Sequence, residues 1–291
     1  MNQQNSSEAY IKQERFVQWK QFCENKIALI SLIVMILIVL CAVFADQIVS
    51  YDKVINQSLL ERLQEPSAEH PFGTDGYGRD IFARVIHGTR SSLTIAFSTI
   101  FFSCMAGLIL GVSCGYFGGK LDNVVMRLVD VIMCLPPILF SLSIVAALGA
   151  GMENLILAVS ITMTPYFTRV IRATVMSVAS SEYIEAARAA GATNRQIILH
   201  HILPNSMGPI IVEATINLSY MIMLSSSLSF IGLGVQPPSP EWGAMLSDGR
   251  EYMRYSPWVV VFPGAAIVLT SLAVNLLGDG LRDALDPRMK K

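Results

Sequence analysis

The residues best suited to chemistry lie between the first two apolar stretches of the chain, in a segment rich in Gly and Asp. It reads His70-Pro-Phe-Gly-Thr-Asp-Gly-Tyr-Gly-Arg-Asp80. Such a segment could form a calcium loop or cradle a phosphate. Neither spacing fits, because the oxygen ligands do not alternate along the chain and no Gly-Lys-Ser/Thr follows. We therefore expect a structural role, with direct substrate contact as the alternative. The expected structure pairs a carboxylate with an arginine, the candidates being Asp75, Asp80, Arg79 and Arg84.

Two other candidate sites are excluded by their spacing. Lys120 follows two glycines, but Cys114 stands where a nucleotide-binding loop requires Gly, and Leu121 where it requires Ser or Thr. Any ATP hydrolysis would therefore have to come from a partner. The four histidines accompany neither an HExxH nor a GxSxG motif, and His200 and His201 would point to different faces of a helix. We expect no metal site and no catalytic residue.

The composition indicates an integral membrane protein. Of the 291 residues 53% are hydrophobic and only 15% charged, whereas a soluble domain carries about a quarter charged residues. The net charge of -1 gives no reason to expect nucleic-acid binding. The five cysteines form no CxxC pair, and most fall in apolar runs, so they read as small buried hydrophobes rather than as a disulfide framework.

Six apolar stretches are long enough to cross a hydrocarbon core of ~30 Å at ~1.5 Å per residue. The first, 27–49, is too long and too far from the N-terminus for a cleaved signal peptide, so we expect it to be retained. The others are predicted at about 92–117, 128–150, 152–175, 207–234 and 257–278. The predicted fold is all-α and integral to the membrane, with six transmembrane helices.

Polar residues inside these spans mark either helix seams or a path through the membrane. Asp130 would lie near the same membrane face as Arg169 and Arg172, so we predict a salt bridge between Asp130 and one of the two. The run of serines at 225–227 favours a close helix–helix seam that could also line a translocation path. Polarity and depth suggest as path residues Met163, Asn217 and Ser225.

A polar stretch at 181–205 separates the predicted fourth and fifth spans. Ser181 can cap a helix whose first turns carry Glu182 and Glu185, where the helix dipole favours acids. Gly191 stands where that helix would end in a left-handed conformation. Small residues leave this helix smooth enough for close approach by another protein, namely Ala186, Ala187, Ala189 and Ala190. We interpret it as a docking element.

A second helix is expected to follow directly. Thr193 with Gln196 three residues later is a capping-box pattern. Pro204 is expected to stop this second helix, because proline cannot donate a backbone hydrogen bond. The stretch would then be a helical hairpin between two spans.

Two sets of residues resemble a known family. Glu185-Ala186-Ala187, with Gly191 and Leu203-Pro204, resembles the EAA loop of permeases in ATP-binding-cassette (ABC) importers. His201 stands where that pattern has Ile, a departure typical of the peptide-importer branch. The run from Gly73 to Asp80, and Pro-Glu-Trp-Gly ending at Gly243, are similar to signatures of the second, C-type permease of dipeptide, oligopeptide and nickel importers.

The resemblance implies a type I importer permease fold with a cytoplasmic coupling helix. Its expected partners are a related second permease, two cytoplasmic ATPases, an extracytoplasmic substrate-binding protein and membrane lipid. In such importers ATP and Mg²⁺ bind to the ATPases, so no cofactor is expected on this chain. The implied ATPase-coupling residues are Glu182, Glu185, Ala186, Ala187, Gly191, Leu203 and Pro204. The implied structural signature comprises Gly73, Asp75, Gly78, Arg79, Asp80, Trp242 and Gly243, with Trp242 also suited to anchoring at a membrane interface.

Basic residues predict the orientation. With a cytoplasmic N-terminus, most of the 21 Lys and Arg lie on the cytoplasmic side, so the positive-inside rule predicts that both termini are cytoplasmic. The resemblance implies that the membrane is a bacterial inner membrane. The hairpin then faces the cytoplasm, where an ATPase would have to be. The predicted organisation is a cytoplasmic segment 1–26, a first span 27–49, an extracytoplasmic loop 50–91, a permease core 92–278 with a coupling helix at about 182–191, and a cytoplasmic tail 279–291.

Short peptides are the expected cargo, and nickel or a metal chelate is the alternative. An ion-coupled secondary transporter is a less favoured interpretation. It would call for ionisable residues at the bilayer midplane and for inverted repeats, whereas the charges here are predicted near span ends. A membrane enzyme is disfavoured by the missing catalytic motifs.

Overall fold

A computed structural model describes residues 21–285 of the chain. Most of this region is helical, and one isolated antiparallel bridge joins Thr74 to Asp80. The principal helices are α1 (Lys26–Val43), α2 (Ile81–Phe117), α3 (Gly119–Met133), α4 (Pro137–Leu148), α5 (Met152–Ala179), α6 (Glu182–Ala189), α7 (Leu203–Phe230), α8 (Trp242–Gly249) and α9 (Trp258–Leu285). Shorter helical segments are Ala45–Ile48, Asp52–Ile55, Leu59–Glu61, Asn194–Ile197, the π-helical Ile198–Ile202, and Arg250–Tyr252.

Five helical stretches of the described region are long and apolar enough to cross a membrane. They are α1, α2, α5, Asn194–Phe230 and α9, and the bent pair of α3 and α4 makes a sixth if it counts as one span. The predicted all-α membrane fold is therefore confirmed.

Two boundaries differ from the sequence prediction. The second span begins at Ile81 rather than at 92, because Asp80 Oδ1 accepts a hydrogen bond from the Ala83 N–H at 2.8 Å and caps the helix. The last helix continues to Leu285, well into the predicted tail. Residues 286–291 of that tail, and residues 1–20 of the predicted N-terminal segment, lie outside the described part.

The predicted third span, 128–150, is broken into two helices. The chain turns by 90° between α3 and α4. Pro136 and Pro137 stand at the turn, and neither carries an N–H to continue the hydrogen-bond ladder.

The prediction that Pro204 stops a helix is wrong, since the chain stays helical from Asn194 to Phe230. A π-helical turn at Ile198–Ile202 precedes the proline, and the Leu203 N–H bonds to the carbonyl of Ile198. The wider turn accommodates the pyrrolidine ring, and Pro204 falls in the first turn of α7, where its missing N–H is tolerated.

Close packing of α2 against α5 forms the centre of the bundle. Along α2, Gly107 faces Phe167, Gly111 faces Ile171 and Gly115 faces Val175. A β-carbon on Gly107 would lie 2.6 Å from the Phe167 Cβ, and one on Gly111 2.9 Å from the Ile171 Cβ. The paired positions advance together, so the two helices run parallel, and glycines every four residues let them approach closely.

Candidate functional site

The predicted docking helix is present as α6, exposed on one side and anchored on the other. Glu182, Glu185 and Ala186 are exposed, and Ala187 is half-buried. Ile184 of α6 and Ile197 of the next turn are fully buried in the main hydrophobic core. The helix is therefore held to the bundle while its acidic and small residues face outward.

The C-terminal end of α6 is capped as expected, whereas the expected hydrogen bond at its N-terminal end is missing. Ser181 occupies the N-cap position, but its side chain makes no capping hydrogen bond. At the other end Gly191 has φ +88°, as predicted. The Gly191 N–H bonds to the carbonyl of Arg188 and the Ala192 N–H to that of Ala187, the two bonds of a Schellman motif.

The capping box that starts the next turn is confirmed. The Thr193 N–H donates to Gln196 Oε1 at 2.9 Å, and the Gln196 N–H donates to Thr193 Oγ1 at 3.4 Å. Tyr116, near the end of α2, donates its hydroxyl hydrogen to Asn194 Oδ1 at 2.7 Å, and Arg188 lies over the Tyr116 ring. The hairpin is thus tied to α2 as well as to the helices on either side of it.

A cavity of about 260 Å³ lies at the bend between α3 and α4, where α5 and α7 close it. Met163 and Asn217, two of the three path residues suggested by sequence, line it. Ser225 is not among the lining residues; it is buried, and its hydroxyl bonds to the carbonyl of Ile222. The lining consists of Ile132, Met133, Leu135, Pro137, Thr162, Met163, Tyr166, Asn217 and Tyr220.

A carboxylate stands beside this cavity. Glu213, half-buried on α7, accepts hydrogen bonds at Oε1 from the Tyr166 hydroxyl and from Asn217 Nδ2, the second at 3.0 Å. Asn217 Nδ2 also donates to the Glu213 carbonyl at 2.9 Å. The amide nitrogen of Asn217 therefore donates to both the side chain and the backbone of Glu213.

The predicted salt bridge is confirmed, and a second one accompanies it. Arg169 donates to Asp130 Oδ1 at 2.5 Å, while Arg172 donates to Asp122 Oδ2 at 2.6 Å. Both pairs join α5 to α3. They leave no arginine of α5 free to neutralise Glu213.

The signature segment forms a buried ionic network at the opposite end of the bundle. Arg79 Nε donates to Asp75 Oδ2 at 2.6 Å, and Arg79 Nη2 donates to Asp248 Oδ2 at 3.1 Å. Arg84 lies 3.6 Å from Asp75 and donates to the carbonyl of Val54. The expected carboxylate–arginine pairing is therefore present, between Asp75 and both arginines.

Asp80 has a different role from that pairing. Besides capping α2, it contacts His70 Nδ1 through Oδ2 at 2.8 Å. Gly73 and Gly78 have positive φ, and a β-carbon on Gly78 would lie 1.9 Å from the Ser58 carbonyl oxygen. Both glycines fold the loop into a shape that side chains would prevent.

Trp242 is not the interfacial anchor that the sequence suggested. It is 1% exposed, packs with Ile81 and Val85, and donates its indole N–H to the Val85 carbonyl at 3.0 Å. A β-carbon on the adjacent Gly243 would lie 2.4 Å from the Ser226 carbonyl oxygen. The apolar ring gains more by filling the contact between α8 and α2 than by reaching the membrane surface.

Glu241 also joins α8 to α2. Its carboxylate accepts the backbone N–H groups of Gly243 and Ala244 at the start of α8, and the Ser92 hydroxyl at 3.1 Å. Burial raises the pKa of Glu241 above its ordinary value, against the opposing effect of these hydrogen bonds.

Family models match both halves of the chain. The model described as "Binding-protein-dependent transport system inner membrane component" matches residues 107–291. A second model, "N-terminal TM domain of oligopeptide transport permease C", matches residues 17–66. The chain belongs to this family of ABC importer permeases. It is a C-type member of the dipeptide and oligopeptide branch, as its signature residues indicated.

Named relatives cover nearly the whole permease. The dipeptide transport system permease protein DppC of Alkalihalophilus pseudofirmus is 45% identical over 94% of this chain and 89% of the relative. The di/tripeptide permease DppC of Pseudomonas aeruginosa is 43% identical over 94% of this chain and 91% of its own. The glutathione permease GsiD of Pectobacterium atrosepticum is 42% identical over 94% of this chain and 90% of the relative.

The fold of the permease matches solved importers. An inward-facing structure of the MetNI methionine ABC transporter has a chain that is 21% identical, with a TM-score of 0.59. The match covers 71% of this permease and 98% of that chain. At this identity the likeness supports the fold, which is that of a type I importer permease.

Sequence reasoning missed two features of the permease. The G-x-x-x-G spacing of Gly107, Gly111 and Gly115 was visible in the sequence and predicts a close helix contact. Glu213 and Asn217 are four residues apart, which places them on one helix face, but nothing local indicated that Tyr166 lies opposite them.

Proposed function

We propose that this permease forms half of the translocation path of an ATP-driven importer of short peptides in a bacterial inner membrane. The observation that supports short peptides as the cargo is the 45% identity to a protein named as a dipeptide permease, over nearly the full length of both chains. A related second permease completes the path, and an extracytoplasmic binding protein delivers the peptide.

We further propose that α6 docks on a cytoplasmic ATPase. Its exposed Glu182, Glu185 and Ala186 form a surface that a partner can contact. Its capped C-terminal end and the buried Ile184 hold it rigidly against the bundle. It stands between α5 and α7, the helices that line the cavity, so a displacement of α6 would reach the cavity through both. ATP and Mg²⁺ bind to the ATPases, and this chain contributes coupling free energy rather than a chemical step.

Reconstitution tests this proposal. The permease, its partner permease, the two ATPases and the binding protein are placed in liposomes with ATP trapped on the ATPase side. We expect uptake of radiolabelled dialanine that stops with a non-hydrolysable ATP analogue and continues with an ionophore. Uptake that ignores ATP and collapses with the ionophore would instead identify an ion-coupled secondary transporter.

Glutathione is the second candidate cargo. The relatives named glutathione permeases are 42–43% identical, nearly as similar as those named for dipeptides. Competition separates the two: unlabelled dialanine should suppress dialanine uptake at lower concentrations than glutathione does. The same assay with nickel tests the metal alternative.

A further inference from the structure

Glu213 is a carboxylate inside a membrane-spanning stretch without a cationic partner. Within residues 21–285, the hydrogen-bond donors that reach the Glu213 carboxylate bond to Oε1. None of these residues donates to Oε2, and none forms an ion pair with Glu213. A charge at this depth is costly unless it is paired or serves a transported charge. Arg169 and Arg172 are held by Asp130 and Asp122.

The groups that hold Glu213 also face the cavity. The Tyr166 hydroxyl gives its hydrogen to Glu213 and accepts a long hydrogen bond from Asn217 Nδ2 at 3.5 Å, which leaves one lone pair of the phenolic oxygen for a further donor. Asn217 gives its amide nitrogen to Glu213, which leaves Oδ1 as an acceptor. Both residues line the cavity. Glu213 therefore orients two neutral oxygens toward the space while placing a negative charge behind them.

Other features of the cavity also suit a cation. Met133, the last residue of α3, lines the cavity, and the C-terminus of a helix carries a partial negative charge that favours a cation. Tyr220 also lines the cavity, and an aromatic ring attracts a cation placed over its face. Apart from these groups the walls are largely hydrocarbon, from residues such as Ile132, Leu135 and Met163. At about 260 Å³ the space suits one end of a short peptide rather than a whole large ligand.

We propose that this cavity receives the α-ammonium group of the peptide during translocation, with Glu213 as its counter-charge and Tyr166 and Asn217 as its hydrogen-bond acceptors. The apolar walls accommodate the first side chain. This inference rests on the proposed function and adds a selective element within the membrane, separate from the binding protein.

The first test is peptide binding to the detergent-purified complex of both permeases and both ATPases, without the binding protein. Saturation-transfer NMR compares dialanine with N-acetyl-dialanine, which lacks the positive charge. N-methyl-dialanine keeps the charge while adding bulk. We expect dialanine and its N-methyl form to bind about tenfold more tightly than the acetylated form, as expected for one charge interaction of ~1.4 kcal/mol.

Variants test whether Glu213 is the cause. Glu213→Gln keeps the shape and should reduce the preference for the charged peptides to about onefold, while Glu213→Asp retains part of it. Tyr166→Phe should weaken dialanine binding even if Glu213→Gln fails to assemble. The matched control is Glu153→Gln, an exposed glutamate in the first turn of α5, which should leave the preference unchanged.

Transport in liposomes separates this inference from the proposed function. If the wild-type importer takes up dialanine with ATP but Glu213→Gln keeps its preference for charged peptides, only the Glu213 inference is overturned. An equal loss of preference in Glu153→Gln would also overturn it, because the effect would then be nonspecific. If the wild-type importer does not take up dialanine, both are overturned.

Discussion

Two regions of this permease treat buried charge in opposite ways. In the signature segment, the buried Asp75 and Arg79 pair with each other, and Arg79 also pairs with the partly exposed Asp248 of α8. Beside the membrane cavity, the groups within residues 21–285 that bond the Glu213 carboxylate are the neutral ones of Tyr166 and Asn217. A compensated network gains rigidity from its charges, whereas an uncompensated carboxylate beside a cavity has interaction free energy left for a ligand.

The space around the glycines also differs between the signature segment and the docking hairpin. In the signature segment Gly73 and Gly78 pack where a β-carbon would collide with neighbouring backbone. At the docking hairpin a β-carbon on Gly191 would contact nothing within 4 Å. The signature segment is closely packed around its glycines, whereas the docking hairpin leaves open space around Gly191.

The largest expected effect comes from disrupting the ionic network of the signature segment. Arg79→Met should destabilise the permease by about 3–5 kcal/mol, because Asp75 and Asp248 lose a buried partner. Thermal unfolding of the solubilised complex measures this loss. The control is Arg62→Met, an arginine bonded to Tyr252 Oη at the exposed surface, which should cost less than about 1 kcal/mol. Equal losses in the two variants would contradict the assignment of a buried ionic network.

A smaller effect is expected at the docking hairpin. There a substitution should impair coupling to the ATPase more than it lowers stability. Gly191→Ala meets no steric obstacle, but its φ of +88° costs an alanine about 1–2 kcal/mol. We expect the importer to assemble while ATPase activity stimulated by the loaded binding protein falls. Glu185→Lys should act likewise through the exposed face of α6.

The matched control for Gly191 is Gly208→Ala. Gly208 lies in α7, and a β-carbon there also has open space around it. This change should leave stimulated ATPase activity intact. Unimpaired transport in Gly191→Ala or Glu185→Lys would reject the docking role of α6.

The pH dependence of stability tests the burial of the Glu241 carboxyl group. Burial raises the pKa of Glu241 above 4.5, so the folded protein holds this proton more tightly than the unfolded chain. The corresponding stability is complete below pH 4.5 and is lost as the pH rises through the folded pKa. Glu241→Gln should remove this part of the pH dependence in thermal unfolding. An unchanged pH profile in the variant would contradict it.

The smallest effect is expected for the pair of Asp130 and Arg169. Their side chains are 51% and 46% exposed, so the interaction should contribute about 0.2–1 kcal/mol. A double-mutant cycle with alanine at both positions measures it, and the double variant should lose less stability than the two single variants together. Full additivity would show that the contact is energetically silent.

Much of the fold could be predicted because its signals are local. Apolar length predicted the spans, Gly191 predicted the end of α6, and Thr193 with Gln196 predicted the capping box. Local rules failed at Pro204 because they treat proline as a helix terminator, whereas a preceding π turn can absorb it. They also missed the 90° bend, since Pro136 and Pro137 predict a break but not its angle.

The amino-acid sequence by itself determined that this protein lies in a membrane, that it carries a capped polar hairpin between spans, and that it has the residues of an importer permease. Those properties depend on composition and on neighbours within a few positions. Only the tertiary structure decided that Trp242 is buried and that Tyr166 meets Glu213 beside the cavity. Such contacts join residues far apart in the chain, and they form only when parallel and bent helices pack at distances that no local pattern specifies.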